Sequence, residues 1–383
     1  MRILYVVNNA AFFCSHRLPI AIAARERGHE VALASGQAGS PKLEAAAIEK
    51  LAAAGVAHMA TRFSSGRIDV VAEIAGLLEL WRIMRVWPPD LVHCASPKGL
   101  LYGGIAARLA NVPAVILAVS GMGSLFTGVA TARTRLLRRV YMTLARFAFG
   151  HPNKHLIVQN EDDMAMAIAA GLADPQDITL IPGSGVDLGA YVPLPIAGRD
   201  PIVVFPARLL KDKGLLEFVD AAKRLRPLHP AWRFVLAGTA DYRNPSSVSE
   251  AQVAQWVADG SVEWWGHCDD MPSVFGQASI VCLPSYREGM PKALLEAAAA
   301  GCAIVTTDTV GCREAIIPGK TGDMVPVGDS KSLADAIQSL MADHARRARY
   351  AIAGRILASE RFGLDSVIRT TLDIYGDRFS GKH

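Results

Sequence analysis

The sequence predicts an α/β protein with two doubly wound parallel sheets, each in its own domain. Short apolar runs rich in β-branched residues alternate with longer helical patterns almost throughout the chain. These runs are apolar at nearly every position, which is typical of parallel strands covered on both faces. The chain of 383 residues is also too long for one ordinary core.

The first half of the chain contains seven predicted strands. They are RILYVV (2–7), EVALAS (30–35), VAHMATRF (56–63), LVHCAS (91–96), AVILAVS (114–120), HLIVQN (155–160) and ITLIPGS (178–184). Helical patterns separate them, for example RLPIAIAARERG, in which Gly28 is expected to cap the C-terminus.

The pattern pauses over residues 187–201, DLGAYVPLPIAGRDP, which are rich in Pro and Gly and are read as a linker. Five further strands follow: IVVFPAR (202–208), RFVLAG (233–238), VEWWG (262–266), SIVCLPS (279–285) and AIVTTD (303–308). After about residue 328 the chain is predicted to be helical. We therefore expect one domain over residues 1–190 and a second over 196–364, with a C-terminal helix at 365–383 packing back on the first.

Composition excludes several classes of protein. The net charge of +4 is mild, whereas a nucleic-acid binder usually has denser basic clusters. The six cysteines form no CxxC pair, which favours a reduced, cytosolic compartment. No apolar run approaches the roughly 18 to 20 residues that span a bilayer, and a strand starting at residue 2 leaves no room for a signal peptide. Any membrane contact is therefore expected to be peripheral.

Nucleotide-binding motifs are also informative. The first strand runs into NNAAFFCSHR, which lacks the GxGxxG of dinucleotide-binding domains, and the chain has no GxxxxGK[ST] loop. These absences argue against a nicotinamide or flavin enzyme and against a P-loop NTPase. Ligands of doubly wound sheets bind at the carboxyl ends of the strands, so we expect a site in a cleft between the two domains.

Two cations follow the first strand of the second domain. Arg208 lies at the end of the strand and Lys213 lies in the loop before the next helix. Such cations suit a diphosphate, because they neutralise the charge that develops on a leaving group. The alternative is a solvated loop, which is the interpretation we favour for Lys211.

The segment PSYREGMPKALLEAAAAG (284–301) carries two glutamates eight positions apart, Glu288 and Glu296. Pro291 suits the first turn of a helix, whose amides and dipole would bind an anion. Gly289 would allow the backbone to approach a ligand closely. Taken singly, either glutamate is better explained by the helix dipole or by exposure to water than by a functional role.

Together these motifs resemble those of the retaining GT-B glycosyltransferases of family four, and the resemblance covers essentially the whole chain. It extends to IPGSGVD (181–187) and TTDTVGCREAI (306–316). The resemblance implies that Arg208 and Lys213 bind the donor diphosphate, that Glu288 contacts the donor sugar, and that Glu296 holds the ribose. The implied catalytic set is Glu288, Arg208 and Lys213, and the implied donor-binding set is Gly289, Met290, Pro291, Leu294, Glu296, Gly183 and Ser184.

A finer resemblance is to bacterial transferases that extend sugars linked to undecaprenyl diphosphate, including N-acetylgalactosaminyl transferases. It rests on LAGTADYRNPSSVS (236–249) and VSGMGSLFTG (119–128). It implies a UDP-linked N-acetylhexosamine donor, a lipid-linked acceptor, retention of configuration, and no metal or other cofactor. The chain has no D-x-D motif of the kind that metal-dependent transferases use.

The first domain departs from many relatives, which have a Gly-rich loop after the first strand. Here NNAAFFCSHRLP replaces that loop, and His16 and Arg17 are expected to contribute there instead. The expected acceptor-binding residues are His16, Arg17, Lys98, Gly121 and Gly123. Ordinary loop roles for Lys98 and Arg17 are equally open, and His93 suits a core histidine as well as a catalytic one.

A basic segment over residues 131–154 is expected to contact the inner face of the cytoplasmic membrane. It carries Arg133, Arg135, Arg138, Arg139, Arg146 and Lys154 among large apolar residues. Arg135, Arg138 and Arg139 are the expected contacts with anionic headgroups. The alternative is a core helix with a solvated arginine face.

Two other functions stay open at this point. A related GT-B enzyme such as a nucleotide-sugar 2-epimerase would act without an acceptor. A catalytically silent glycan- or lipid-binding partner of an assembly complex would bind the donor without transferring it. The donor sugar, the nucleotide base, the acceptor and the oligomeric state are not determined by the sequence.

Overall fold

The computed structural model describes residues 1–37, 40–64, 70–121, 142–194, 198–241 and 244–380. Their packing divides the chain into two units. The first comprises Met1–Ser184 together with the chain from Ser366 onward, and the second comprises Gly185–Asp365.

The first unit is built on a seven-stranded parallel sheet in the order β3-β2-β1-β4-β5-β6-β7. Its strands are β1 (Arg2–Val7), β2 (Glu30–Gln37), β3 (Ala57–Ser64), β4 (Leu91–Ala95), β5 (Ala114–Val119), β6 (Lys154–Val158) and β7 (Ile178–Leu180). The helices are α1 (Ala10–His16), α2 (Leu18–Glu26), α3 (Pro41–Ala53), α4 (Val70–Val86), α5 (Gly104–Leu109), α6 (residues 142–149) and α7 (Glu161–Ala169). A π-helical turn over Gly99–Gly103 precedes α5.

The second unit is built on a six-stranded parallel sheet in the order β10-β9-β8-β11-β12-β13. Its strands are β8 (Asp200–Phe205), β9 (Arg233–Ala237), β10 (Glu263–Gly266), β11 (Ala278–Leu283), β12 (Ala303–Thr307) and β13 (Gly322–Val325). The helices are α8 (Leu215–Leu225), α9 (Glu250–Ala258), α10 (Met271–Gln277), α11 (Lys292–Ala299), α12 (Ser330–Ala342) and α13 (His344–Arg361), and α14 (Leu364–Ser380) then leads back to the first unit.

The predicted fold class is confirmed, since each unit has a parallel sheet whose strands alternate with helices. All twelve predicted strands are present, although their ends shift by a few residues and β7 is only three residues long. The strand β13 was not predicted, because GDMV is short and half polar. The helical C-terminal region is present over 330–342, 344–361 and 364–380.

The division between the units falls after Ser184 rather than after residue 190. Val186 already belongs to the second unit, because its N–H bonds to the carbonyl of Phe362 at 2.8 Å and its carbonyl accepts from Leu364 at 3.0 Å. Tyr191, which the sequence places in the linker, packs into the core of the second unit.

The C-terminal helix α14 is held in the first unit by a buried polar chain. The Tyr375 hydroxyl lies 3.0 Å from the Tyr5 hydroxyl and 2.6 Å from Nδ1 of His93. Arg378 donates to Nδ1 of His155 at 2.8 Å and pairs with Asp177 at 2.8 Å. None of the helices within the described ranges combines the length and the apolar composition that crossing a membrane requires.

Candidate active site

The best-formed candidate site lies at the carboxyl edge of the second sheet, where β8 and β11 are parallel neighbours. The loop after β8 ends in a 3₁₀ turn, Lys211–Lys213, followed by Gly214. The loop after β11 runs from Pro284 to Met290 and leads into α11. Because the two strands are adjacent and parallel, both loops emerge at the same edge.

Main-chain contacts fix these two loops against each other. The Tyr286 N–H donates to the Asp212 carbonyl at 2.9 Å, and the Ser285 hydroxyl oxygen lies 3.2 Å from the same carbonyl. A Cβ added to Gly214, which has φ +74°, would lie 2.0 Å from the Pro284 carbonyl oxygen. Glycine is therefore needed both for the left-handed backbone and for the close approach of the loops.

This packing brings together two residues that the sequence predicted separately. The Lys213 ammonium forms an ion pair with Oε1 of Glu288, and the Ser285 hydroxyl donates to the same oxygen at 2.8 Å. Both side chains are mostly buried. An ammonium and a carboxylate thus lie side by side directly before the N-terminus of α11.

A third loop, which follows β12, supports Glu288 from behind. The Glu288 N–H donates to the Val310 carbonyl at 3.1 Å, and Thr309 Oγ1 donates to the Tyr286 carbonyl at 2.8 Å. Burial, with a contribution from the Glu288 carboxylate, raises the pKa of the Cys312 thiol to about 12. Burial therefore favours the protonated thiol at Cys312.

Arg208 lies on the loop after β8 and is exposed. It pairs with Asp241, on the loop after β9, at 2.7 Å. Asp241 had no role in the sequence prediction, because the pairing depends on β8 and β9 being neighbours. Lys211 is exposed, in agreement with its interpretation as a solvated residue.

The N-terminus of α11 lies next to the Lys213–Glu288 pair. Pro291 is the N-cap residue rather than part of the first turn, and it has no side-chain acceptor with which to cap the helix amides. The amides of this turn and the helix dipole suit a negatively charged group. Gly289 precedes this turn, and its carbonyl lies close to Gly311 of the third loop.

Two predicted donor-binding residues on this stretch are packed in the core. Leu294 is fully buried in the hydrophobic core of the second unit, because α11 turns that face toward the sheet, so its side chain cannot line a ligand site. Met290 is also largely buried there, which leaves its main chain as the part that could meet a donor.

Glu296 is only 8% exposed and lies further along α11. Lys292 pairs with it at 3.3 Å. Tyr191 also hydrogen-bonds to it, and burial together with this carboxylate raises the pKa of Tyr191. The role of Glu296 in holding a ribose stays a prediction, as does that of Gly183 and Ser184, which lie in the last loop of the first unit.

The predicted acceptor residues of the first unit lie in different surroundings, and Lys98 is the one at the expected sheet edge. Lys98 pairs with Glu73 of α4, and both side chains are mostly buried. The Lys98 N–H and the Ser96 hydroxyl both donate to Oδ1 of Asn8, at 3.1 and 2.8 Å. Ser96 has φ +67°, a rare conformation for serine, at the carboxyl end of β4. Lys98 therefore lies in a strongly constrained loop at the expected sheet edge.

Arg17 does not form a surface cation. Residue 17 is the N-cap of α2, and the turn from α1 directs its side chain inward, beside Tyr5 and Tyr375, where it is 5% exposed. Its Nη1 donates to the His16 carbonyl at 3.0 Å, while Nε is buried with no partner in the described residues. Arg17 was expected to bind an acceptor phosphate, but its side chain lies in the core of the first unit instead.

The other residues predicted in the first unit also lie in different surroundings. His93 is a core histidine whose pKa is well below the usual range because of burial and the nearby Arg17. His16 is partly exposed, stacks on Phe12 and donates from Nδ1 to the Phe12 carbonyl at 3.2 Å. Gly121 follows β5 with φ +122°. Gly123, Arg135, Arg138 and Arg139 lie outside the described residues.

In the part of the chain that the structure describes, no group of three or more His, Cys, Asp or Glu side chains is placed to hold a metal ion. The candidate site at β8 and β11 instead combines two cations, one carboxylate and a helix N-terminus. That set suits an anionic ligand that also carries hydroxyl groups.

Two family models match the chain. Residues 2–149 match the family described as glycosyl transferase 4-like, and residues 200–343 match the family described as glycosyl transferases group 1. The two matched regions together cover most of the chain, one in each unit.

Curated relatives include two bacterial transferases. The N,N'-diacetylbacillosaminyl-diphospho-undecaprenol alpha-1,3-N-acetylgalactosaminyltransferase of Campylobacter jejuni is 28% identical over 360 residues, covering 91% of this chain and 91% of the relative. The UDP-Gal:alpha-D-GlcNAc-diphosphoundecaprenol alpha-1,3-galactosyltransferase of Escherichia coli is 27% identical, covering 70% and 71%.

Solved structures share the fold. HepE of Anabaena, in complex with UDP-glucose, has a TM-score of 0.76 at 20% identity, covering 98% of this chain and all of its own. Sucrose-phosphate synthase from Thermosynechococcus elongatus has a TM-score of 0.78 at 17% identity, covering both chains completely. At these identities the similarity establishes the two-domain architecture.

Proposed function

We propose that this chain, a glycosyltransferase with the GT-B fold, moves an N-acetylhexosamine from a UDP-sugar to a saccharide carried on undecaprenyl diphosphate. The names of the Campylobacter jejuni and Escherichia coli relatives support the lipid-linked acceptor. The UDP-glucose complex of HepE supports a UDP-linked donor.

One observation carries the proposal: the ion pair between Lys213 and Glu288 at the start of α11. In a nucleotide sugar, the anomeric carbon is one oxygen away from the diphosphate. A site for this donor must therefore place a cation for the phosphate next to an acceptor for sugar hydroxyls. The adjacent Lys213 and Glu288 meet this requirement.

The donor diphosphate is assigned to Lys213, Arg208 and the first amides of α11. As the bond between the anomeric carbon and the phosphate oxygen breaks, negative charge grows on that oxygen, and these groups stabilise it. Glu288 accepts hydrogen bonds from the sugar and fixes its orientation. Glu296 is assigned to the ribose.

The acceptor hydroxyl attacks the anomeric carbon from the face that the diphosphate leaves. A new bond forms between the hydroxyl oxygen and this carbon, the bond to the phosphate oxygen breaks, and the departing diphosphate takes the hydroxyl proton. The product therefore retains the configuration of the donor. Permanent cations and a helix N-terminus supply the positive charge, so we expect transfer without an added divalent metal.

The acceptor is assigned to the carboxyl edge of the first sheet, at Lys98 and the loop at Gly121. Since Lys98 is paired with Glu73, an acceptor phosphate would have to compete with that carboxylate. Because the acceptor is anchored in lipid, the reaction takes place at a membrane surface.

A transfer assay tests this function. The chain is incubated with a panel of UDP-sugars and an undecaprenyl-diphosphate saccharide, with and without EDTA. We expect one N-acetylhexosamine donor to be used and EDTA to leave the rate unchanged. Epimerisation of the donor without any acceptor would indicate the 2-epimerase instead. Donor binding without transfer to any acceptor would indicate a silent binding partner.

A further inference from the structure

Helix α4, Val70–Val86, is apolar on its outer face as well as on its inner face. Leu80 and Met84 are buried in the core of the first unit. On the opposite side four large apolar residues face solvent at helical spacing: Val71, Ile74, Leu78 and Trp81, which are 77%, 56%, 49% and 37% exposed. We call these four residues the outer stripe. A helix that is apolar all round is typical of one that is covered on both sides.

The charges around the outer stripe are mainly positive. Arg82 and Arg85 are exposed in the last turns of α4. Glu79 is paired at 2.9 Å with Arg62, which is itself well exposed. The other carboxylate of the helix, Glu73, is turned inward to Lys98 and mostly buried. The outer side of α4 thus presents arginines beside apolar groups, with its carboxylates paired.

Two other helices of the first unit also expose apolar side chains. α5 and α6 pack in the same core cluster as α4. α5 exposes Leu109, and α6 exposes Leu144 and Phe147. Exposed apolar residues scattered singly are ordinary, whereas a run of four on one helix is typical of an interaction surface.

We propose that the outer stripe docks on the surface of a bilayer that contains anionic lipids. Charge favours this occupant, because Arg82 and Arg85 would meet headgroups while the apolar side chains enter the interface. Trp81 lies beside these arginines at the end of the stripe, and tryptophan is the side chain enriched where headgroups meet hydrocarbon. The inference rests on the proposed function, since a lipid-linked acceptor requires the enzyme to meet the membrane.

The position of Glu73 connects the surface to the acceptor. Glu73 lies between Val71 and Ile74 in sequence and pairs with Lys98 on the inner side of the same turn. Docking the start of the outer stripe would therefore bring the Lys98 loop close to the lipid headgroups.

The test compares two double variants of the whole chain in vesicle co-sedimentation. Ile74→Glu with Leu78→Glu changes two neighbours, four positions apart, on the outer stripe. The matched control, Ile352→Glu with Ile356→Glu, has the same spacing on α13 of the second unit, where both residues are also exposed. With vesicles of phosphatidylcholine and phosphatidylglycerol, we expect the first variant to bind roughly tenfold more weakly or worse and the control to bind like the wild type.

Several outcomes would overturn the proposal. One is that the outer-stripe variant binds vesicles as tightly as the wild type. Another is that the control variant loses as much binding as the outer-stripe variant. A third is that the wild type does not bind vesicles at all. A wild-type dimer in lipid-free solution that Ile74→Glu with Leu78→Glu converts to a monomer would identify a second copy as the occupant. A second measurement uses a gentler change: vesicles of brominated lipid should quench fluorescence in the wild type more strongly than in Trp81→Phe, and equal quenching would count against docking.

Activity separates this inference from the proposed function. On a short-chain, water-soluble acceptor, the outer-stripe variant should transfer sugar at the wild-type rate while failing to bind vesicles. If the wild type transfers no sugar to any acceptor, the proposed function fails whatever the vesicles show. If it transfers sugar and the outer-stripe variant still binds vesicles fully, only the docking surface fails.

Discussion

Lys213 and Glu288 form an ion pair although they are 75 positions apart in the chain. The pair exists because β8 and β11 are neighbouring parallel strands and Gly214 lets the loops that follow them touch. Ser285 supports the same carboxylate oxygen at 2.8 Å. The two residues assigned to the phosphate and to the sugar therefore belong to one unit.

Removing either member of this pair should abolish most of the transfer. We expect Lys213→Ala or Glu288→Gln to lower kcat by roughly 100-fold or more, because each group stabilises or orients the reacting donor. The double variant should lose little more than the worse single variant, since residues that act as a unit are not additive. Steady-state kinetics checks this, with Arg224→Ala as a control on the exposed Arg224–Asp220 pair of α8.

Arg208 should matter mainly for holding the diphosphate. We expect Arg208→Ala to weaken UDP binding by about tenfold to a hundredfold, the usual effect of losing a hydrogen bond to a charged group. Lys211→Ala, an exposed cation in the same loop, should bind UDP like the wild type. Calorimetric titration with UDP measures both. If the two variants lost UDP affinity equally, Arg208 would act only through its positive charge and not through a specific contact with the diphosphate.

Gly214 should be irreplaceable for two reasons that a control can separate. Gly214→Ala combines a left-handed φ of +74° with a clash against the Pro284 carbonyl. Gly260→Ala has almost the same φ, +73°, with open space around the added methyl group. We expect Gly260→Ala to cost about 1 kcal/mol of unfolding free energy and Gly214→Ala at least a further 1–3 kcal/mol, with a loss of transfer. Urea unfolding and the transfer assay measure the difference, and equal losses would mean that the loops need not touch.

The sequence predicts the sheets well because their strands are continuous apolar runs. It misses β13, since Gly322–Val325 carries too few apolar residues to stand out. It singles out Glu288, Lys213 and Arg208 as candidate site residues by residue type and position, and their roles stay a prediction. It cannot predict that Lys213 and Glu288 pair or that Asp241 holds Arg208, because these contacts depend on which strands are neighbours.

Side-chain direction is the other property that the sequence leaves undetermined. Arg17 follows α1, and only the geometry of the turn into α2 shows that its side chain points to Tyr5 and Tyr375. Leu294 lies one turn into α11, and its burial depends on how that helix sits on the sheet. The outer stripe of α4 reads as ordinary core sequence until the packing shows which face is exposed.

Acid should destabilise the fold partly through His155. Arg378 can only donate to Nδ1 of His155, so this ring is neutral, with Nε2 donating to Thr179 at 2.8 Å. Burial first, and then Arg378, lower its pKa to about 4, while Asp177 and Asp377 partly oppose this.

The sign of the pH effect follows from that lowered pKa. Between about pH 6.5 and about pH 4 the unfolded chain binds a proton that the folded chain excludes, so the free energy of unfolding falls as the pH falls. His155→Gln should show a shallower loss of stability over this window in urea unfolding. An NMR titration that places the His155 pKa near 6.5 in the folded chain would contradict the assignment.

We propose that the chain transfers an N-acetylhexosamine with retention of configuration. The most direct measurement is the proton NMR spectrum of the product formed from an α-linked UDP-N-acetylhexosamine and an undecaprenyl-diphosphate saccharide. We predict a new α-glycosidic linkage, identified by a small coupling between the protons on the first and second ring carbons, and its absence with Lys213→Ala. A β-linked product from the same donor would contradict the proposed mechanism.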